Sequence, residues 1–307
     1  MKQNSSGIDM PHFSENMRGA FFMVMAMLFF TLNDTVMKMA MSDIGVFQAV
    51  LIRGVVASAL IGFYAWMRSG LELIGAWRET CRDKGVILRT AGEVFATVFF
   101  LIALFHMPIA NASAILQSLP LLVTLAAAVF FKEKVGWRRY SAIIIGMIGV
   151  LIIIRPGAEG FNAYSIYVLI AALFVVLRDL ATRRISPKIS TLLIAIITSV
   201  SVTVMGAVVT VFQPWQSVDL LTFTQLAASA ALLLLAYMTS IQTMRLGEVS
   251  FTSPFRYTSL IWAIMLGYFA FGDIPDTPMI VGSIIVIATG LFTFYRERKL
   301  ERAQKTQ

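Results

Sequence analysis

Long apolar segments alternate with short polar segments along almost the whole chain. A helix of about 20 apolar residues spans the hydrocarbon core of a bilayer, and it satisfies its own backbone hydrogen bonds, which lipid cannot do. The pattern therefore predicts an all-α integral membrane protein with ten transmembrane helices. The predicted spans are residues 17–38, 44–66, 85–106, 109–131, 137–154, 163–182, 190–212, 220–243, 249–271 and 277–295.

The longest internal connection is the stretch 67–84, which carries Trp77 among mixed charges. Two interpretations of it are open. It is either an amphipathic segment that lies in the membrane interface or a solvated loop.

The two halves of the chain repeat one arrangement of charge. Asp34 is followed four residues later by Lys38, and the same spacing of acid and base recurs at Asp179 and Arg183. Each half contains five predicted spans, an odd number, so the second half must enter the membrane from the opposite side. The sequence therefore predicts two inverted five-helix repeats, which are typical of secondary transporters that bind their substrate between the repeats.

Composition and charge set the expected location and orientation. Hydrophobic residues make up 58% of the chain and charged residues only 14%, too few to cover a soluble protein. Of the 25 lysines and arginines, 19 fall on the side that holds both termini. Positive charge stays in the cytoplasm, so we expect a multi-pass protein of the bacterial inner membrane with both termini cytoplasmic.

This orientation divides the chain into four predicted parts. Residues 1–16 form a cytoplasmic N-terminal segment, and residues 297–307 form a cytoplasmic tail. The first repeat, helices 1–5, covers residues 17–155, and the second, helices 6–10, covers residues 156–296. The net charge of +8 thus reflects membrane topology, and we expect no nucleic-acid partner.

The sequence lacks the residues that several kinds of binding and catalytic site require. Cys81 is the only cysteine, and the two histidines, His12 and His106, are far apart in the sequence; we expect no disulfide within the chain and no metal site. The sequence contains no nucleotide-binding loop and no hydrolase or metalloprotease motif. We therefore expect no cofactor and no enzymatic activity. A lipid-modifying membrane enzyme and a non-transporting scaffold are the remaining alternatives.

Charged residues inside the spans are candidates for gating. Charge in a membrane helix usually marks a pathway, a pairing or a functional group. Asp34 and Lys38 lie one turn apart on one helix face, as do Asp179 and Arg183. They are predicted either to latch the two membrane faces or, in the case of the bases, to reach for water at the helix ends.

Four further charges lie deeper in the predicted spans. Glu93 is the most interior acid, with Arg89 one turn before it. The two either neutralise each other, or Glu93 carries a proton or contacts substrate. Arg53 and Arg256 either recognise an anionic or planar group of the substrate or donate to loose carbonyls of neighbouring helices.

Polar and aromatic residues within the spans are predicted to line a central, substrate-binding cavity. The candidates are Asn33, Asp34, Glu93, Ser113, Gln117, Tyr237, Gln242, Arg256, Tyr257 and Trp262.

The sequence resembles the drug/metabolite transporter superfamily, in its EamA-type branch, over residues 17–296. The segments that carry the resemblance are 30–38, 112–133, 146–157, 253–257 and 271–276. The resemblance implies a ten-helix fold with an inverted five-plus-five repeat and secondary transport of a small organic molecule.

Two sequence patterns indicate which carriers within this family the chain resembles. The Asn-Asp-x-x-x-Lys pattern of residues 33–38 and the Pro-Phe-Arg-Tyr pattern of residues 254–257 are similar to those of uptake carriers for riboflavin and S-adenosylmethionine. The resemblance thus implies uptake of a vitamin-like or nucleoside-like compound. Because the family also contains exporters of amino acids and drugs, export is the alternative. The expected partners are a small-molecule substrate and membrane lipid, and a homodimer is left open.

Overall fold

The computed structural model describes residues 10–69, 72–130, 137–157, 161–182, 184–186, 188–246 and 249–305. Every regular element in these ranges is a helix. The helices are α1 Met10–Ile44, α2 Val46–Ser69, α3 Glu72–Arg82, α4 Lys84–His106, α5 Ile109–Leu116, α6 Leu119–Phe130, α7 Trp137–Ile154, α8 Tyr164–Thr182, α9 Thr191–Thr210, α10 Leu220–Leu246, α11 Val249–Thr252, a 3₁₀ turn Ser253–Tyr257, α12 Thr258–Phe271 and α13 Thr277–Lys305.

Eight helical stretches of the described chain are long and apolar enough to cross a membrane. They fall in α1, α2, α4, the pair α5 and α6, α8, α9, α10 and α13. The prediction of an all-helical protein rich in membrane spans is thereby confirmed. Of the other two predicted spans, 137–154 is the shorter apolar helix Tyr140–Ile154 within α7. The span 249–271 is divided into α11, the 3₁₀ turn and α12.

Helix ends follow the local sequence. Asp83 caps α4, because its carboxylate accepts a hydrogen bond from the Val86 backbone N–H at 3.0 Å. Gly45, with φ of +76°, separates α1 from α2. Gly272, with φ of +70°, ends α12 in the left-handed conformation that glycine adopts without strain.

α3 occupies residues 72–82 of the segment 67–84, so this part of it is helical; its location in the membrane interface stays a prediction. Thr80 is buried, whereas Trp77 and Arg78 are exposed, and α3 packs against α4 and α9. At the chain ends, α1 begins at Met10, within the predicted N-terminal segment, and α13 continues to Lys305 through the predicted tail.

Five helix pairs build the bundle. α1 packs on α10, α4 on α8, α2 on α9, α7 on α13, and α5 on α12. Small residues allow close approach in these pairs. A methyl group on Gly282 of α13 would lie 2.6 Å from the carbonyl oxygen of Gly149 in α7, so the two backbones touch there.

The connections around residues 45, 107, 155–157, 161–163, 211–219 and 272–276 meet at one end of the bundle, which we call the Gly45 face. Hydrogen bonds and one ion pair join them in sequence around that face. The pairs are Gln48 with Gln216, Asp43 with Thr222, Lys38 with the carbonyl of Met107, Asn162 with the carbonyl of His106, and Arg155 with Asp276. The opposite end of the bundle, where α1 begins and α13 ends, is called the terminal face.

The close contact between α7 and α13 makes a stability prediction. Gly282→Ala should destabilise the protein by about 1–3 kcal/mol, because the new methyl group has to displace a backbone carbonyl. Gly62→Ala is the matched control, since nothing lies within 4 Å of the position of its new methyl group, and it should leave the thermal midpoint in detergent unchanged or raise it. Equal midpoints for the two variants would contradict this packing.

Candidate functional site

Two helices break inside the bundle, and their breaks contact each other. The fourth predicted span ends its first helix at Leu116 and resumes at Leu119, just before Pro120. The ninth is interrupted by the 3₁₀ turn, which contains Pro254. Gln117 bridges the two breaks. Its amide donates to the Ser259 hydroxyl at 2.8 Å and to the Tyr257 carbonyl at 3.5 Å.

These breaks matter for function because non-helical backbone at membrane depth is tolerated only where it is buried in protein or lines a water-filled cavity. Discontinuous helices of this kind form the substrate sites of many transporters. Two networks of polar side chains lie in the same bundle.

The first polar network joins α1, α2 and α10 around Asn33. The Asn33 amide donates to Asp34 at 2.9 Å, while its carbonyl oxygen accepts from Ser229 at 2.7 Å and from Arg53 at 3.4 Å. Asn33, Arg53 and Ser229 are buried, and Asp34 lies within electrostatic range of the Arg53 guanidinium. The network therefore holds one carboxylate and one guanidinium without a direct ion pair between them.

The second polar network joins α8 to α4 through Arg178. This guanidinium binds Glu93 at 2.9 Å and Asp179 at 2.8 Å. Gly92 makes the contact possible, because a methyl group there would lie 3.0 Å from the Phe174 carbonyl oxygen. The α4 backbone thus lies directly against α8, and the next residue along α4 can reach the arginine.

The two networks share one pattern. Asn33 and Arg178 each donate to the aspartate that follows in the sequence, Asp34 or Asp179. Each also bonds to a side chain on a facing helix, α10 in the first network and α4 in the second. In the first network the bond to the facing helix joins an amide to a hydroxyl. In the second network it is an ion pair.

Tyr237 and Arg256 complete the cluster. Tyr237 of α10 packs edge-on against Phe30, with ring centroids 5.5 Å apart, and it lies within electrostatic range of Glu93, Arg178, Arg89 and Arg53. The guanidinium of Arg256 lies within electrostatic range of Asp179 and Arg178. The side chains of Tyr237 and Arg256 are exposed on the surface of the bundle.

Two of the predicted helix-face pairs form other bonds. Lys38 donates to the Met107 carbonyl at 2.6 Å and lies 4.8 Å from the Phe271 ring centre, so the structure does not form the Asp34–Lys38 pair. The physical reason is that Met107 offers a carbonyl at the end of α4, while Asp34 is bonded to Asn33.

The Arg89–Glu93 pair, one of the two alternatives that the sequence left open for these residues, does not form in the structure. Arg89 donates to the Thr198 hydroxyl at 2.8 Å, and Glu93 is bound by Arg178 instead. Arg183, the predicted partner of Asp179, lies outside the described residues. Sequence reasoning missed Arg178 and Ser229 as site residues, although Arg178 occupies the place in the second half that Asn33 holds in the first.

The remaining candidates lie apart from this cluster or add little to it. Tyr257 is buried, and its hydroxyl points at Gly290 of α13 without a partner in the described part of the chain. Trp262 is half-buried, with a ring N–H that likewise has no described partner. Ser113 is half-buried and Gln242 is exposed. Within the described ranges, no three His, Cys, Asp or Glu side chains gather in a group that could hold a metal ion.

Comparisons with known proteins identify the class of this architecture. Residues 17–155 match the EamA-like transporter family. The chain is 27% identical to an S-adenosylmethionine uptake transporter of Rickettsia conorii over 233 residues, which cover 75% of this chain and 78% of the relative. It is 24% identical to a riboflavin transporter of Vibrio cholerae over 294 residues, which cover 94% of this chain and 97% of the relative.

Two further similarities extend the comparison. A pseudopaline exporter of Pseudomonas aeruginosa is 23% identical over 276 residues, which cover 88% of this chain and 93% of the relative. A crystal structure of another protein, 18% identical, covers 93% of this chain and 99% of that chain with a TM-score of 0.63, which shows a shared fold. The resemblance expected from the sequence is thus confirmed. The first half of the chain, residues 17–155, is similar to the EamA-like transporter family.

The ionic network predicts a coupling that can be measured. In a double-mutant cycle, Glu93→Gln and Arg178→Gln should be non-additive by about 0.5–3 kcal/mol in unfolding free energy, because Arg178→Gln leaves Glu93 without its ionic partner and Glu93→Gln removes one of the two acids on Arg178. The matched cycle of Glu93→Gln with Arg89→Gln should be additive, since Arg89 donates to Thr198. Coupling in the second cycle and none in the first would show that Glu93 pairs with Arg89 and not with Arg178.

Proposed function

We propose that this protein is a secondary transporter that moves a small organic metabolite across the bacterial inner membrane without changing it chemically. The observation that carries the proposal is the cluster of arginines, carboxylates and Tyr237 inside an otherwise apolar helical bundle. Charges at membrane depth are costly and usually belong to a pathway. The similarity to uptake and export proteins over most of the chain supports the same function.

The proposal includes ten spans in two inverted five-helix repeats. In this scheme α7 and the divided ninth segment are the two spans beyond the eight long ones. A two-fold exchange of the halves would swap the first helix with the sixth and the third with the eighth. It would therefore convert the α1–α10 pair into the α8–α4 pair and map the other three pairs onto themselves, which agrees with the observed packing.

The matching polar networks support the same symmetry at the level of side chains. Asn33 and Arg178 occupy corresponding positions, and each bonds to its neighbouring aspartate and across one of the two exchanged helix pairs. The contact of Ser58 with Ser199, at 2.8 Å, lies in the α2–α9 pair, which the exchange maps onto itself.

The hydrogen bonds at the Gly45 face define which side of the bundle is closed. By the positive-inside rule both termini are cytoplasmic, which makes the Gly45 face periplasmic. The bonds that join its connections then close the periplasmic side, with Lys38 and Arg155 as gate residues. Transport requires these bonds to open while the terminal face closes, and Asp179 lies where it can contribute to that second gate.

The cargo proposed from the relatives is a vitamin-like or nucleoside-like compound, such as riboflavin or S-adenosylmethionine, that is taken up. The similarity to an exporter keeps export of a metabolite as the second candidate. Asn33, Asp34, Glu93, Tyr237 and Arg256 are the proposed cavity residues.

The proposed orientation can be tested by cysteine labelling. In a Cys81→Ser background, Ser42→Cys at the Gly45 face should react with a membrane-impermeant maleimide in intact cells. Arg82→Cys, at the end of α3 and also exposed, should react only after the membrane is permeabilised. The reverse pattern would place both termini outside and contradict the orientation.

Transport itself can be tested in cells that lack their own carriers. Cells that produce the protein should differ from empty-vector cells in the distribution of at least one metabolite between cytoplasm and medium, and labelled riboflavin and labelled S-adenosylmethionine are the first probes. Glu93→Gln should reduce the difference, because Arg178 loses one of its two acids. Arg138→Gln, a change at an exposed arginine beside Trp137, should not. Identical metabolite profiles with and without the protein would refute transport.

A further inference from the structure

The arginines of the cluster differ in whether their guanidinium groups donate to a partner side chain. Arg53 donates to Asn33, Arg89 to Thr198, and Arg178 to two carboxylates. Among the described residues, Arg256 forms no ion pair, and its side chain is exposed. It lies in the 3₁₀ turn that interrupts the ninth segment, so its five N–H donors project from a part of the chain that is not regular α-helix.

Asp179 is the acid that lies within electrostatic range of Arg256. Its carboxylate, however, accepts its hydrogen bonds from Arg178. Arg178 is already bound to Glu93, so Asp179 is the second carboxylate on one guanidinium. Its side chain is also the most exposed of the three, at 39% against 25% for Arg178 and 17% for Glu93.

Two guanidinium groups and two carboxylates thus share this end of the cluster, but the ion pairs are unequally divided. Arg178 has both acids, and Arg256 has neither within bonding distance. A guanidinium in a pocket forms its strongest bonds with a carboxylate, which fits its planar fork in a bidentate arrangement. The guanidinium donors of Arg256 are therefore free of an ionic partner among the described residues, and a planar carboxylate suits them.

We propose that the transported compound carries a carboxylate, which binds Arg256, and that Asp179 supplies the countercharge when no cargo is present. This inference rests on the proposed transport function and narrows its cargo. It favours compounds of the S-adenosylmethionine or amino-acid type, which have a carboxylate, over riboflavin, which has none. A cargo without an anionic group would gain no charge-assisted bond from Arg256.

Matched ligands test the carboxylate directly. The purified full-length protein in detergent is titrated with S-adenosylmethionine and its decarboxylated analogue, with tryptophan and tryptophanamide, and with riboflavin. At least one carboxylate compound should bind, and its carboxylate-free partner should bind about 10-fold or more weakly, since a charge-assisted bond contributes about 1.5–3 kcal/mol. Equal binding within each pair, or binding of riboflavin alone, would overturn the inference.

Variants separate recognition by Arg256 from a merely structural role. Arg256→Gln should abolish the preference between the members of a matched pair, and Arg256→Lys should restore part of it. Asp179→Asn should keep the preference, because the cargo carboxylate no longer competes with a protein carboxylate. Arg138→Gln is the control arginine, and every variant must elute as a monodisperse species. If Arg256→Gln weakens both members of a pair equally, the arginine is structural and the inference fails.

The two proposals fail in distinguishable ways. If the metabolite comparison identifies a transported compound without an anionic group, the proposed transport stands and the carboxylate inference falls. If no metabolite moves in any background, the transport function fails, and the inference about its cargo fails with it.

Discussion

The constraint on which this architecture depends is that a charge inside an apolar bundle has to be paired or hydrogen-bonded. Arg178 meets it with two carboxylates, from α4 and from its own helix. The need for that contact explains the packing around it, because Gly92 brings the α4 backbone against α8 at the level of Glu93. The ionic network and the small residues are therefore two parts of one requirement. Without the close approach, the short acidic side chain could not reach the guanidinium.

The same constraint explains why the broken helices face each other. A break frees backbone groups that lipid cannot satisfy. Gln117, at the first break, donates to the carbonyl of Tyr257 and to the hydroxyl of Ser259 at the second. Each interruption is thus stabilised by the other, and the pair can lie inside the bundle. Arg256 lies in the second break, directly before Tyr257, whose carbonyl accepts from Gln117. Arg256 itself forms no bond with Gln117.

How much of this follows from the sequence depends on the kind of interaction. Span length and apolarity are local properties, so the helices were predictable, and the internal repeat pointed to residues 33–34 and 178–179. Partner choice is not local. The four-residue spacing put Lys38 on the same face as Asp34 and Arg89 on the same face as Glu93, but both bases are long enough to reach other helices. Lys38 reaches the carbonyl of Met107 and Arg89 the hydroxyl of Thr198, and neither acceptor can be recognised without the packing of the bundle.

The two polar networks hold their charges in different ways. In the first, Asn33 lies between the charged groups, since it donates to the Asp34 carboxylate and accepts from the Arg53 guanidinium. Its bond to the facing helix joins it to the uncharged Ser229. In the second, Arg178 binds both of its acids directly, and its bond to the facing helix is an ion pair. Removing one acid therefore leaves the second network with an excess positive charge, whereas removing Ser229 takes only an uncharged hydrogen-bond partner from the first. The two corresponding places are thus alike in helix packing and unequal in electrostatics.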